Sequence, residues 1–206
     1  GAQLKAKTAL YYAMRSEIEA RALPRLFSRT QTQLILGDGC HFVSYPIAGQ
    51  KRINAVFCAS PEKLGPEWQA QLFAPHPILK YVADASAQWV KLPLFANSLP
   101  ASWRRMQVTL IGDAAHIMPP HLAQGAGQSF EDIAYLKTQL QEKPLSDALR
   151  SMAILRASQI KSTTNKASLT GQVMRLSGLP AQLRDSLLGL SRIQDKLLLK
   201  WGYPYV

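Results

Sequence analysis

The sequence predicts an α+β fold, and three observations predict it. Extended runs separated by glycine turns fill the first half of the chain. A hydrophobic run, Gln107–Ile111, then meets Gly112-Asp113, and helical periodicity dominates the remaining residues. The expected layout is an antiparallel sheet with a flanking helix over residues 1–105, a strand–loop–helix segment over 106–142 and a helical region over 143–206. A chain of 206 residues can bury one sizeable core or two small ones.

The opening stretch, Thr8 to Leu23, mixes apolar and charged residues and is closed by Pro24. Gln33–Leu36 reads as a strand, and Gly37-Asp38-Gly39 supplies a turn because glycine tolerates backbone conformations other residues avoid. Cys40–Ile47, rich in aromatic and β-branched residues, is the next strand. Ala48-Gly49-Gln50 turns it, and Arg52–Ala59 pairs back. Pro61 to Pro77 holds four prolines and is expected to be loop or short helix. Gln88–Phe95 returns to strand character with Trp89 and Phe95 as core candidates. Pro93 within it marks an edge strand or a bulge, since proline has no N–H for a ladder. Gln128–Leu140 is a candidate helix. Leu145, Leu149, Met152 and Ala153 recur at helical spacing, as do Leu183, Leu187, Leu190 and Leu197, and Gly178-Leu179-Pro180 separates the two runs.

Composition narrows the class of function. With 47% hydrophobic residues the chain is not of the disordered type. No apolar run is long enough to span a bilayer, and the first residues do not read as a signal peptide. Two cysteines, Cys40 and Cys58, are too few for a disulfide scaffold and lack metal-ligand spacing, so no metal site is expected and a reducing cytoplasm is the plain location. Cys58 reads as a small buried hydrophobe. The net charge is +11. Nucleic acid, anionic membrane or acidic small molecules all suit such a charge, but the basic residues are scattered and nowhere exceed a pair such as Lys51-Arg52. A nucleic-acid surface needs clustered Lys/Arg interleaved with aromatics, and that pattern is not favoured here.

The chemistry concentrates in Val108-Thr109-Leu110-Ile111-Gly112-Asp113-Ala114-Ala115-His116-Ile117-Met118-Pro119-Pro120, running on through Gln124-Gly125-Ala126-Gly127-Gln128 to Glu131-Asp132. Gly112-Asp113 places a carboxylate at the end of a strand, where it can accept hydrogen bonds from ligand hydroxyls or simply serve as a turn residue. The prolines stiffen a loop. Gly125-Ala126-Gly127 then opens a helix whose first amides, under tiny side chains, suit a partly negative oxygen. His116 is a candidate for proton transfer or for a structural role, with weaker claims from His41 and His121. Glu131 and Asp132 fall where the helix dipole favours negative charge.

This segment resembles the second FAD-binding motif of the single-component flavoprotein aromatic hydroxylases: hydrophobic strand, Gly-Asp-Ala-Ala-His, Pro, a Gly-Gln-Gly-like segment and Glu-Asp. The salicylate-hydroxylase-like branch is also similar in the stretch Gly37–Ile47 and in Trp201-Gly202-Tyr203, and the likeness extends over most of residues 30–206. The resemblance implies FAD as cofactor, NAD(P)H as co-substrate, O₂, and an aromatic, salicylate-like substrate. It implies that Asp113, with Gly112, meets the ribityl hydroxyls. It also implies that Gly125, Ala126 and Gly127 face the pyrimidine end of the flavin, and that Pro119 and Pro120 lie between flavin and substrate, with Tyr45 on the substrate side. On that basis residues 1–105 correspond to the substrate-side sheet and 106–142 to part of the FAD-binding domain.

Two departures from the family pattern stand out. Ala123 occupies the position of the first Gly of Gly-Gln-Gly, which a negative φ would accommodate. No Gly-x-Gly-x-x-Gly exists, and the only Asp-Gly, Asp38-Gly39, belongs to a hairpin. The chain is therefore expected to correspond to the C-terminal part of such an enzyme, inactive by itself. The alternatives are a non-catalytic truncated homologue serving as a binding or interaction module, and a basic nucleic-acid-associated protein. The Gln107–Ile111 strand, without neighbours in sequence, is expected to need a partner: an N-terminal half or a second copy in a homodimer.

Overall fold

The computed structural model describes residues 11–25, 27, 30–69, 76–85, 88–94, 104–105 and 108–188. The described residues divide into two compact units, one within 9–94 and 173–191, the other within 95–172.

The first unit is built on a five-stranded antiparallel sheet. Its strands are β1 (Tyr11–Glu19), β2 (Gln33–Leu36), β3 (Cys40–Ile47), β4 (Arg52–Ala59) and β5 (Val90–Leu94), in the order β2-β3-β4-β1-β5. The two predicted hairpins are present, with His41 opposite Cys58 and Phe42 opposite Phe57. Pro93 sits on the edge strand β5, opposite Tyr12, where its missing N–H costs no inner ladder bond.

The opening stretch, to which the sequence assigns no element, is the inner strand β1, paired to β4 on one side and β5 on the other. From Met14 onward its burial alternates strictly: Met14, Ser16 and Ile18 are buried, Arg15, Glu17 and Glu19 exposed. On the exposed face, Arg52 reaches across to Glu17 and Glu19 at 3.4 and 3.3 Å. Such half-exposed pairs contribute little to stability.

One face of the sheet carries the core of this unit. Met14, Ile18, Phe42, Ile53 and Phe57 are buried together with Leu79 and Val82 of α1 (Pro77–Ala85), a helix that begins where the proline-rich stretch ends. Each such side chain contributes about 1.5–3 kcal/mol by leaving water. Trp89 packs against this core from its margin and meets Trp68 edge-to-face at 5.3 Å between ring centroids. Phe95 lies outside the described residues, as does Trp201-Gly202-Tyr203. Both cysteines are free thiols, and burial pushes Cys58 up to about 11.

Helix α5 (Gly178–Leu188) belongs to the same unit, and its start is tied to the Gly37-Asp38-Gly39 turn. The Asp38 carboxylate accepts the Gly178 N–H at 2.8 Å, and Gly39 N–H donates to the Leu176 carbonyl at 3.1 Å. The Leu183 and Leu187 periodicity does not mark its buried face: both are exposed, and Ala181 and Arg184 are buried instead. The Arg184 guanidinium donates to the carbonyls of Gly37, Val173 and Met174, a demand that takes precedence over leucine burial. Leu190 and Leu197 lie outside the described residues.

The second unit holds a two-residue ladder of β6 (Arg104–Arg105) and β7 (Val108–Thr109), the short α2 (Asp113–His116), α3 (Gly125–Glu142) and the long α4, which runs from Leu145 to Met174. The strand expected over residues 107–111 is thus shorter, and it has a partner within the chain: Arg104 pairs with Thr109 and Arg105 with Val108. Leu110 and Ile111 leave the ladder because the backbone turns at Gly112, with φ +56°. The buried stripe of α4, through Leu149, Met152, Arg156, Ile160 and Ala167, steps by three, four or seven residues as a helix face requires. Ile160 packs with Ala115 of α2.

Candidate functional site

The predicted motif residues come together in the second unit as two short walls and a buried brace behind them. The first wall is the Gly112-Asp113 turn. A side chain at Gly112 is disfavoured on two counts: an added Cβ would fall 2.8 Å from Ser129 Oγ, so that hydroxyl would have to move, and the positive φ is one that L-residues disfavour. Asp113 is the first residue of α2 rather than the last of a strand. Its carboxylate is exposed, and no side-chain or backbone donor among the described residues engages it.

The second wall is the start of α3. Gln124 occupies the N-cap position without a side-chain capping bond, and the first helical bond runs from Gln128 N–H to the Gln124 carbonyl at 2.8 Å. The amides of Gly125, Ala126 and Gly127 therefore have no intrahelical acceptor. Ala126 and Gly127 are exposed. A Cβ on Gly125 would find Asp113 Oδ1, at 4.0 Å, as its nearest neighbour, so both walls border the same space. Pro119 and Pro120 lead into a 3-10 turn, Pro120–Leu122, between the walls. Ala123 ends that turn with φ +52°, ψ +30°. The negative φ that would have suited alanine is not what the loop uses; a left-handed conformation that glycine favours is held by a residue with a Cβ.

Behind the walls lies a buried ion network that sequence reasoning only half finds. His116 and Asp132 are completely buried at the side chain, with His116 Nε2 2.7 Å from Asp132 Oδ2. A carboxylate only accepts, so Nε2 carries the hydrogen. The same Oδ2 accepts the Gly112 N–H at 2.9 Å, and Oδ1 accepts Arg156 Nε at 2.8 Å. Burial would raise the Asp132 carboxyl, but the bonds from His116, Gly112 and Arg156 outweigh it and hold the group below the usual carboxylate range. Asp132 thus does far more than complement a helix dipole.

Arg156 is the residue that sequence reasoning misses. Its guanidinium, only 1% exposed, also donates to Glu131 Oε2 at 2.9 Å, Gln159 Oε1 at 2.6 Å, the Gln128 carbonyl at 3.0 Å and Gln128 Oε1 at 2.8 Å. A signal is available: the spacing Leu149–Met152–Arg156–Ile160 puts an arginine on the apolar face of α4.

Tyr45 belongs to the other unit, on β3 opposite Asn54, and is 37% exposed. His41 is buried in the same sheet. No group of His, Cys, Asp and Glu residues among those described could hold a metal ion, and no described helix is long and apolar enough to cross a membrane.

Residues 74–153, which include both the Gly112-Asp113 turn and the start of α3, match the family model for the FAD binding domain. The chain is 27% identical over 200 residues to the 3-amino-4-hydroxybenzoate 2-monooxygenase of Streptomyces cremeus, a match covering 94% of this chain and 50% of that protein. It is 26% identical over 206 residues to the 3-hydroxybenzoate 6-hydroxylase of Klebsiella oxytoca, covering 93% and 51%. A solved salicylate hydroxylase substrate complex shares the fold with a TM-score of 0.70 at 22% identity, covering 96% of this chain and 55% of that one. The chain thus resembles FAD-dependent aromatic-ring monooxygenases, the single-component flavoprotein hydroxylases, over nearly its whole length, and carries a match to their FAD binding domain. It spans about half the length of the curated relatives it matches.

Proposed function

We propose that this chain forms the ribityl and pyrimidine side of the flavin site in an FAD-dependent monooxygenase that hydroxylates an acidic, salicylate-like aromatic ring. The observation that carries the reading is the shared space between the Asp113 carboxylate and the free amides of Gly125, Ala126 and Gly127. Bound FAD would supply the redox chemistry, reduction by NAD(P)H and reaction with O₂. This chain's residues would bind and orient. Asp113 would accept hydrogen bonds from ribityl hydroxyls, with Gly112 allowing the turn. The α3 amides would donate to partly negative flavin oxygen, aided by the helix dipole. Pro119 and Pro120 would bound the site rigidly. The surplus of basic residues suits acidic substrates and NAD(P)H.

The relatives are about twice as long, and these 206 residues contain no Gly-x-Gly-x-x-Gly. We propose that polypeptide outside this sequence supplies the pyrophosphate-binding unit, and that the chain alone turns over no substrate. A reducing cytoplasm, where Cys40 and Cys58 stay thiols, completes the reading.

Titrating the purified chain with FAD, followed by flavin fluorescence and by absorbance retained after desalting, tests the proposal. Weak, saturable binding is expected, at least tenfold weaker in Asp113→Ala. A colourless protein that takes up no added FAD sinks it.

A further inference from the structure

We propose that Arg156, acting through Asp132, is a positioning residue that sets the Gly112-Asp113 turn against the start of α3 and so fixes the spacing of the two walls. The inference rests on the FAD reading and adds to it a residue from α4, outside both the Gly112-Asp113 turn and the α3 amides.

Arginine has five N–H groups in a planar fork, and here all three of its nitrogens are engaged. Nε meets Asp132, one terminal nitrogen meets Glu131 and Gln159, and the other meets the carbonyl and side-chain oxygen of Gln128. Three of these partners, Gln128, Glu131 and Asp132, lie in the first two turns of α3. Asp132 then passes the constraint on, since its Oδ2 holds the Gly112 N–H at 2.9 Å. The Gly112 carbonyl, in turn, accepts from Ala115 and His116 N–H, both at 2.9 Å. Both ends of the turn's first residue are therefore fixed, one of them by way of Arg156.

Stability alone does not account for such a group. A buried ion network is often no more stabilising than apolar side chains of similar volume, and this stripe of α4 is otherwise apolar. What charged, forked bonds provide and apolar packing does not is a fixed direction and distance. The spacing they fix here is that between Asp113 and the α3 amides. Lysine, with three donors and no plane, cannot reproduce it.

The test compares the full chain with Arg156→Met, which keeps much of the volume, and Arg156→Lys, which keeps the charge. Ile160→Val removes a buried methylene from the same helix face and serves as the control for lost packing. Thermal melts establish that each variant folds. FAD titration and NMR hydrogen exchange at the Gly112 amide are the readouts. Cooperative melts, FAD binding at least tenfold weaker and Gly112 exchange at least tenfold faster in both arginine variants, with neither change in Ile160→Val, are expected. Should Arg156→Met fail to fold, the lysine variant decides. Wild-type affinity or unchanged Gly112 exchange in a folded arginine variant overturns the inference and leaves the FAD reading intact. A wild-type chain that takes up no FAD overturns the FAD reading, and with it the role of this spacing in cofactor binding.

Discussion

Ala123 holds a left-handed backbone, φ +52° and ψ +30°, although a Cβ there crowds the following carbonyl. That conformation costs an L-residue roughly 1–2 kcal/mol, whereas glycine adopts it freely but loses more entropy on folding. The balance favours glycine, so Ala123→Gly is expected to stabilise the fold by about 0.5–1 kcal/mol. Denaturant melts at neutral pH measure this, and a destabilised variant would show that the loop relaxes around alanine. Gly112→Ala lacks that choice, because its Cβ would meet Ser129 Oγ at 2.8 Å as well as the strained φ. It should destabilise by several times as much, on the order of 2–3 kcal/mol. Asp132 sets a pH dependence of known sign. Its folded carboxyl lies below the ordinary range, held there by His116, Gly112 and Arg156 against the effect of burial. The stability it contributes is full above about pH 4, the unfolded value, and is lost as pH falls through the folded one. Melts between pH 2 and 6 should therefore show an acid-side loss that Asp132→Asn largely lacks. Equal slopes in the two proteins would contradict the assignment.

At the scale of elements, what can be read from the sequence depends on whether periodicity or partnership shapes the residue. The hairpins of β2, β3 and β4 are legible because glycine turns bracket β-rich runs, and Pro93 marks β5 as an edge. The motif from Gly112 to Asp132 is legible because turn, loop and helix start each demand particular small residues. Strand β1 is hidden by Ser16, a buried polar residue that breaks an alternation otherwise running Met14, Ile18 against Arg15, Glu17, Glu19. Helix α1 is hidden by Pro77, which suits a first helical position as well as a loop. Arg156 and Arg184 escape for a different reason: helical spacing can place Arg156 on the apolar face of α4, but the carbonyls and carboxylates that receive the two guanidinium groups lie far away in sequence, where no local pattern names them. The inner place of β1 makes a sharp prediction. Ile18, 2% exposed and opposite Ile53, anchors the sheet to its helical cover. Ile18→Ala should cost about 2–5 kcal/mol in a chemical melt. A loss under about 1 kcal/mol would mean that β1 is not an inner strand.

For the whole molecule, the half-length match to the relatives has a physical counterpart on the unit that carries the motif. Val108, Leu110, Ile111 and Ile117 are exposed around the Gly-Asp turn, and Phe130 and Ile133 project from α3, with Phe130 73% exposed. Scattered exposed apolar residues are ordinary, but a group of six along one motif is the pattern of a surface that another polypeptide covers. Strand β7 adds to this, since among the described residues it pairs only with β6, over two residues, and its other edge is open there. In a solution of this chain alone, the cover available is a second copy. We therefore expect association that grows with concentration, read by size-exclusion chromatography with light scattering as a mass above the 22.8 kDa of one chain. Phe130→Glu places a charge at the most exposed of these six side chains, which has no bond to the buried network, and it should return the mass to that of a monomer. The net charge of +11 opposes association through general repulsion, so raising the salt should strengthen it if apolar contact is the cause and weaken it if ion pairs are. A wild-type chain that stays monomeric at all concentrations and in high salt would show that this face needs no cover.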